Sequence, residues 1–252
     1  MKYINRQIIS VYIVFVVLLS GCQNTDYRIE NSSSKYVIID SLVGESDGLE
    51  KLIQPYRDSL QAEMQKTIGV AEQELSGGFP EGLLSNFVTD LVRRQCNSLN
   101  SFEQVDVCVV NVKGLRVPLQ KGNITVENIY QLMPFENEIV YLTMTNEQMK
   151  ELFNFMASVG GDGISGASFG IKDRKAIHIK VNNKPLEDRT YIVATSDYLA
   201  DGGDHFAVFS KALKREGTGL KVRDAIIQHI KQLSAEGEKV NSELDKRIYY
   251  AE

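Results

Sequence analysis

The sequence has no tryptophan, only three histidines and only three cysteines. The histidines (His178, His205 and His229) are far apart in the chain, and no Cys-x-x-Cys pair occurs. Because protein metal sites are built from clustered ligands of these types, we expect this chain to bind no metal and no other cofactor. Basic residues form no long run and the formal net charge is −5, which argues against a nucleic-acid-binding protein.

Only the N-terminus carries a long apolar run. Residues 8–19 are apolar and follow Lys2 and Arg6, and this pattern predicts a signal peptide over residues 1–21 rather than a membrane span. The run ends at Ser20-Gly21-Cys22, which resembles a bacterial lipobox. We therefore expect a lipid on Cys22, which would anchor the protein to a membrane of the cell envelope on its periplasmic or outer-surface side. An ordinary signal peptide followed by an incidental cysteine is the alternative.

The remaining chain is predicted to be a polar tether, residues 22–35, and one folded domain, residues 36–252. The hydrophobic content of the full 252-residue chain, 43%, is ordinary for a soluble globular protein. Apolar periodicity predicts helices at 47–66, 80–97, 125–132, 146–158 and 219–234, and strands at 36–40, 68–71, 105–110, 138–145, 167–171, 175–181, 191–195 and 247–250. The glycine-rich stretch 159–166 matches no phosphate-binding motif and is predicted to be a plain loop, while His178 and His229 are predicted to face solvent.

One stretch suggests a ligand site. The β-branched strand ending at Val110 is followed by Asn111-Val-Lys-Gly-Leu-Arg116 and later by Pro134-Phe135-Glu136-Asn137. Ligands commonly bind beyond the carboxyl ends of strands in open sheets. An Arg, an aromatic ring and an Asn suit a planar, polar, partly anionic ligand. On composition alone, Phe135 is as readily a core residue, Arg116 a surface charge and Asn137 a turn residue.

These motifs, with Glu81-Gly-Leu-Leu-Ser-Asn86-Phe-Val-Thr-Asp90 upstream and the segment from Tyr191 to Phe206 downstream, resemble the C-terminal, substrate-binding domain of the 5'-nucleotidase family. The resemblance covers roughly residues 36–250, with the motifs in the family's order. It implies an α+β fold of mixed β-sheets with helices packed on the outside. The sequence leaves open whether Cys96 and Cys108 form a disulfide or are two buried thiols.

The resemblance implies a role for each of several residues. Phe135 and Tyr198 would sandwich a nucleobase, Asn137 would bond the edge of the base, and Asp204 would accept from the ribose hydroxyls. Arg116 would hold the sugar-phosphate side, and Gly161 would allow the backbone to approach the ligand. Two arginines common in the family are absent, since the matching positions hold Glu74 and Gly78.

The family hydrolyses nucleotides with a separate metallophosphoesterase domain that holds two metals. No segment here resembles that domain, so we expect a nucleoside- or nucleotide-binding part of a split 5'-nucleotidase. Such a hydrolase subunit is not catalytic alone and needs a separately encoded metallophosphoesterase chain, which would carry the divalent metals. The alternatives are a non-catalytic nucleoside-binding lipoprotein and a structural or interaction protein.

Overall fold

The fold is built around a five-stranded mixed sheet in a computed structural model that describes residues 31–38, 40, 44, 46–99 and 104–252. Residues 51–252 form one unit and residues 1–50 another. The helices are α1 Asp47–Met64, α2 Leu83–Ser98, α3 Val126–Leu132, α4 Asn146–Ser158, α5 Asp197–Ala200 and α6 Val222–Ala235. The strands are β1 Thr67–Ala71, β2 Val107–Val110, β3 Gly122–Thr125, β4 Glu138–Met144, β5 Gly163–Ser165, β6 Ala167–Lys172, β7 Lys175–Val181, β8 Lys184–Pro185, β9 Tyr191–Ser196, β10 Lys214–Lys221 and β11 Ile248–Tyr250.

The central sheet has the strand order β10-β4-β9-β2-β5, with β2 and β9 parallel and the other pairs antiparallel. Side chains of a strand point alternately to the two faces. In β2, Cys108 and Val110 therefore join one apolar cluster, while Val107 and Val109 join another. Both faces of this strand are buried, which explains its continuous apolar sequence.

Each face of the central sheet is covered by its own layer. On the face of Cys108, helices α2, α3 and α6 pack together with the two-stranded antiparallel sheet β1-β3. On the face of Val107, helix α4 packs together with the four-stranded sheet β11-β6-β7-β8. Helices thus lie outside mixed sheets, and the predicted α+β class is confirmed.

Helices α3 and α4 begin as the sequence predicts. Thr125 accepts a hydrogen bond from the backbone N–H of Asn128, and Thr145 accepts one from that of Gln148. In both cases the side chain of the third helical residue bonds back to the backbone of the cap, which completes a capping box. These two boxes fix where the chain leaves β3 and β4 and enters the next helix.

Several predicted elements are wrong. Residues 36–38 form no strand and are exposed, and β5 lies inside the glycine-rich stretch that was predicted to be a loop. Strand β10 occupies 214–221, so the last helix begins at Val222 rather than at 219. His229 is buried against Phe87, with ring centroids 5.9 Å apart, because α6 packs on α2 as well as on the sheet.

Two further features concern charge and redox chemistry. Cys96 and Cys108 are both buried and both free, so no disulfide joins them. Burial raises the pKa of the Cys96 thiol to about 11, which keeps it protonated at neutral pH.

Helix α1 has the predicted amphipathic pattern, but none of its residues is buried. No helix within the described residues is long and apolar enough to cross a membrane. The predicted signal peptide and Cys22 lie outside the described residues.

Candidate functional site

Three segments meet at one edge of the central sheet. Asn111 follows β2 and Asp197 follows β9, and these two strands run parallel. Asn137 comes immediately before β4, which pairs antiparallel with β9 so that Ile139 lies opposite Ser196. The carboxyl ends of β2 and β9 and the start of β4 therefore lie side by side, where ligands bind in many sheets of this kind.

A cavity of about 340 Å³ opens at this edge. It is lined by all three segments, through Asn111, Lys113, Gly114, Arg116, Met133, Phe135, Asn137, Tyr198 and Asp204. Five of the residues singled out from the sequence thus line one cavity, namely Arg116, Phe135, Asn137, Tyr198 and Asp204. Gly161 is not among the lining residues.

Two aromatic rings line the cavity without belonging to the core. Phe135 is 42% exposed and Tyr198 is 45% exposed. Large aromatic side chains are usually buried to a much greater extent, so the alternative interpretation of Phe135 as a core residue is wrong. Both rings remain available to a flat ligand.

The Tyr198 side of the cavity is held by a chain of hydrogen bonds. The Tyr198 hydroxyl donates to Asp204 Oδ1 at 2.9 Å and accepts from the Asp204 backbone N–H at 3.2 Å. Asn111 Nδ2 donates to Asp204 Oδ2 at 2.7 Å. The bond to the Asp204 carboxylate raises the pKa of Tyr198, so the phenol stays protonated. One carboxylate therefore ties the end of β2 to the segment after β9.

A glycine permits this arrangement. A Cβ atom at Gly203 would lie 2.5 Å from the ring carbon Cζ of Tyr198, so any side chain there would displace the ring. Asp204 itself adopts a left-handed backbone conformation, with φ of 48°. The Gly-Gly-Asp sequence after Tyr198 thus folds the carboxylate back onto the phenol that precedes it.

The Phe135 side of the cavity is held from helix α6. The buried Arg223 guanidinium forms an ion pair with Glu136, and its Nη1 lies 3.4–3.5 Å from the carbonyl oxygens of Met133, Pro134 and Phe135. Hydrogen bonds from Lys221 and Arg223 lower the pKa of Glu136 to about 2. The segment that carries the Phe135 ring is thereby fixed by residues distant in sequence.

The polar residues of the cavity differ in how far they are paired. Asn137 Nδ2 donates to Asp197 Oδ1 at 2.8 Å. Arg116 Nη1 donates to the Lys113 carbonyl at 3.3 Å, and its guanidinium carbon lies 5.7 Å from the centroid of the Phe135 ring. Within the described part of the chain neither Arg116 nor Lys113 forms an ion pair with a carboxylate. Two cations at this cavity are therefore free to meet an anionic ligand.

Gly161 lies close to another segment of backbone. A Cβ atom there would lie 2.3 Å from the Pro80 carbonyl oxygen, and the residue has φ of 113°. The missing side chain allows a close approach of two backbone segments to each other. Gly161 therefore packs against the loop before α2 rather than in the cavity.

Sequence reasoning assigned no role to several cavity residues. Asn111 lies directly after a buried strand, which is a signal that could have marked it. Gly114 is required because a Cβ atom there would lie 2.8 Å from Asn111 Oδ1. Lys113 and Met133 carry no such signal. Among the described residues no group of three or more His, Cys, Asp and Glu side chains is placed to hold a metal ion.

Comparison with known sequences places this chain in a family. Residues 67–211 match the family described as "5'-nucleotidase, C-terminal domain". Protein UshA of Escherichia coli is 25% identical over 184 residues, which are 70% of this chain and 33% of UshA. The trifunctional nucleotide phosphoesterase protein YfkN of Bacillus subtilis is 24% identical over 241 residues, 87% of this chain and 16% of YfkN. The chain thus spans a third or less of these relatives.

Solved structures show the same fold. A 5'-nucleotidase precursor from Thermus thermophilus superposes with a TM-score of 0.67 at 24% identity, over 80% of this chain and 42% of that one. The NAD nucleotidase of Haemophilus influenzae superposes with a TM-score of 0.61 at 19% identity, over 81% of this chain and 41% of that one. At such identities the likeness establishes the fold alone.

Proposed function

The chain belongs to the family of the 5'-nucleotidase C-terminal domain, and we propose that its cavity binds the nucleoside part of a nucleotide. The observation that carries the proposal is the pair of exposed rings, Phe135 and Tyr198, lining one cavity of about 340 Å³. Stacking of a base on an aromatic side chain contributes about 1–3 kcal/mol. A cavity with two such rings favours a planar aromatic ligand over a flexible one.

The polar residues suit the rest of a nucleoside. Asp204 accepts two hydrogen bonds from the protein but has further lone pairs, so it can also accept from ribose hydroxyls. Asn137 provides an amide for the edge of the base. Arg116 and Lys113 line the cavity and can meet a phosphate, because neither forms an ion pair with a carboxylate among the described residues. In this proposal Gly161 does not contact the ligand.

We further propose that hydrolysis occurs on a separate metallophosphoesterase chain, which would hold the divalent metals. Support comes from the relatives, because this chain matches only 33% of UshA and 16% of a protein named "trifunctional nucleotide phosphoesterase". The protein would then act as the substrate-binding subunit of a 5'-nucleotidase. Attachment to the cell envelope through a lipid on Cys22 remains a proposal; it predicts that Cys22→Ser moves the protein from the membrane fraction to the soluble fraction.

Calorimetry with the purified chain tests the binding step. We expect both adenosine and AMP to bind at one site per chain, and AMP to bind more tightly at low salt because it adds charge near Arg116 and Lys113. Inosine and ribose 5-phosphate separate the contribution of the base from that of the sugar-phosphate. Absence of heat with adenosine and AMP at millimolar concentration would contradict the proposal.

A second experiment tests the subunit role. The chain is mixed with a candidate metallophosphoesterase, ideally one that proves to be encoded beside it, and release of phosphate from AMP is followed with Mg²⁺ or Mn²⁺ present. We expect the mixture to hydrolyse AMP faster than either protein alone. If AMP binds but the mixture shows no gain, the protein is a nucleoside-binding module without catalysis, which is the second candidate.

A further inference from the structure

The glycine-rich segment between α4 and β6 has a role that the cavity lining alone does not reveal. Two of its glycines fix the backbone on either side of Asp162. A Cβ atom at Gly161 would lie 2.3 Å from the Pro80 carbonyl oxygen, and one at Gly163 would lie 2.4 Å from the Val110 carbonyl oxygen. Asp162 is therefore carried on a backbone that is pressed against two other segments and has little freedom to move.

The Asp162 carboxylate points at the start of the loop formed by residues 111–116, which we term the ligand loop. Asp162 Oδ1 accepts hydrogen bonds from the Val112 backbone N–H at 2.6 Å and from the Gly163 backbone N–H at 2.9 Å. Val112 begins a single 3₁₀ turn, whose first N–H groups have no partner within the turn. The carboxylate supplies that partner and so fixes the direction in which the ligand loop leaves β2.

The consequence reaches the cavity through the neighbours of Val112. Asn111, on one side, donates to the Asp204 carboxylate at 2.7 Å. Gly114 and Arg116, on the other side, line the cavity. The turn that connects them is closed by the hydrogen bond from the Gly114 N–H to the Asn111 carbonyl at 3.0 Å. The cavity residues that follow Val112 in the ligand loop thus depend on a turn that Asp162 holds at its first amide.

We propose that Asp162 is a positioning residue, which contacts no ligand but sets the geometry of the ligand loop through the Val112 amide. The proposal deepens the proposed function, because it concerns the same site. Its physical basis is the strength of a hydrogen bond from a backbone N–H to a carboxylate in a partly buried position. Removal of such an acceptor leaves a buried amide without a partner, and the loop then gains freedom.

The charged groups that face Asp162 are Asp204 and Lys113. Burial raises the pKa of Asp162 to about 6, the amides of Val112 and Gly163 act against this shift, Asp204 raises the pKa and Lys113 lowers it. At pH 7.5 the carboxylate is therefore ionised and acts as an acceptor only. The experiments below are done at this pH, so that one protonation state dominates.

The test compares Asp162→Ala with Asp162→Asn in the full chain. The Asn side chain keeps an oxygen acceptor, whereas Ala removes it. We expect Asp162→Ala to weaken adenosine binding by about tenfold and Asp162→Asn to stay within about threefold of the wild type. Hydrogen–deuterium exchange is measured in parallel, and the Val112 amide should lose protection in the Ala variant and keep it in the Asn variant.

A second variant removes the donor instead of the acceptor. Val112→Pro has no N–H, and the first position of a helical turn tolerates proline. We expect it to weaken adenosine binding about as much as Asp162→Ala, and the double variant to be no worse than either single one. If Asp162→Ala does not fold, Val112→Pro still tests the proposal, because it removes the same hydrogen bond and leaves Asp162 intact.

Asp106 provides the matched control. It is a buried aspartate just before β2, and its Oδ2 accepts from the Ile192 backbone N–H at 3.0 Å. Asp106→Asn should lower thermal stability and leave adenosine affinity unchanged. The proposal is overturned if Asp162→Ala binds adenosine like the wild type, or if Asp162→Asn is as damaging as Asp162→Ala. If the wild type does not bind adenosine, the proposed function fails, while exchange at Val112 still decides the role of Asp162.

Discussion

Strand β2 has a cavity near each of its ends, and the two cavities differ in what their polar groups do. The candidate site lies beyond Val110, at the carboxyl end. A second cavity of about 420 Å³ lies towards the amino end, where a Cβ atom at Gly166 would touch the Asp106 carbonyl oxygen. It is lined by Asp90, Arg93, Ser165, Gly166, Ala167, Ser168, Asn182, Asn183, Asp245, Lys246 and Arg247.

The second cavity is larger and has more charged residues, but its guanidinium groups are already used. Arg247 forms ion pairs with Asp90 and Asp245 at 2.9 Å each and also donates to the Ile164 carbonyl. Arg93 donates to the Val105 carbonyl at 3.2 Å and to Asn182. At the candidate site, Arg116 and Lys113 have no described carboxylate partner and two rings are exposed. An arginine without a described carboxylate partner and two exposed rings, rather than volume or charge, distinguish the candidate site.

The largest expected effect on stability comes from a variant in the second cavity. Arg247→Met removes a side chain that is 11% exposed and leaves Asp90 and Asp245 unpaired. Loss of one partner of a buried pair is strongly destabilising, but these carboxylates reach solvent. We therefore expect a loss of about 2 kcal/mol in the free energy of unfolding. Urea denaturation measures this, and adenosine affinity of the folded fraction should not change.

Lys246→Met is the control for that variant. Lys246 lines the same cavity, is exposed and forms no ion pair among the described residues. Its replacement should shift the unfolding free energy by less than about 0.5 kcal/mol. If Arg247→Met reduced adenosine binding while folded, the two ends of β2 would be functionally coupled and the distinction between them would fail.

The next effect falls on binding. Phe135→Ala removes one of the two rings, and we expect it to weaken adenosine binding by about 1–3 kcal/mol, measured by calorimetry. Because Phe135 is 42% exposed, the unfolding free energy should change little. Tyr250→Ala, which removes an exposed aromatic residue that does not line this cavity, should leave binding unchanged. Equal losses from both variants would show that adenosine binds nonspecifically to surface rings.

The smallest expected effect separates the nucleotide from the nucleoside. Arg116→Gln should weaken AMP binding by about 5- to 10-fold and leave adenosine binding nearly unchanged, because only AMP carries a phosphate. The loss should shrink as salt is added. Arg174→Gln, at an exposed arginine that bonds the Ser158 carbonyl, is the control. A similar loss for adenosine would place Arg116 at the base or sugar instead.

Much of the candidate site could be predicted from the sequence, because its residues lie in short motifs that resemble those of the 5'-nucleotidase C-terminal domain and that lie close to strand ends. Residues that support the site from behind could not. Arg223 reaches the Phe135 segment from a helix whose start was predicted too early, and Asp162 reaches Val112 from another loop. Neither contact leaves a periodic signal, since both partners are far apart in the chain.

The errors in the predicted secondary structure and burial also have physical causes. Strand β10 is an edge strand with the polar sequence Lys-Arg-Glu-Gly-Thr-Gly-Leu-Lys, which lacks the alternation that marks a half-buried strand. His229 was assigned to the outer face because α6 was taken to bury one stripe, whereas it contacts α2, α3, β1 and β10. The buried face of a helix with several neighbours is wider than its apolar residues suggest.

The contact of Arg223 with the backbone of the Phe135 segment has a consequence for shortened forms of the chain. The ring of Phe135 and the guanidinium that holds its backbone are separated by 88 residues of chain. Strands β4 to β10 and the start of α6 all lie between these two residues in the chain. A product truncated before Val222 would therefore contain both rings and yet lack the guanidinium that fixes the Phe135 segment.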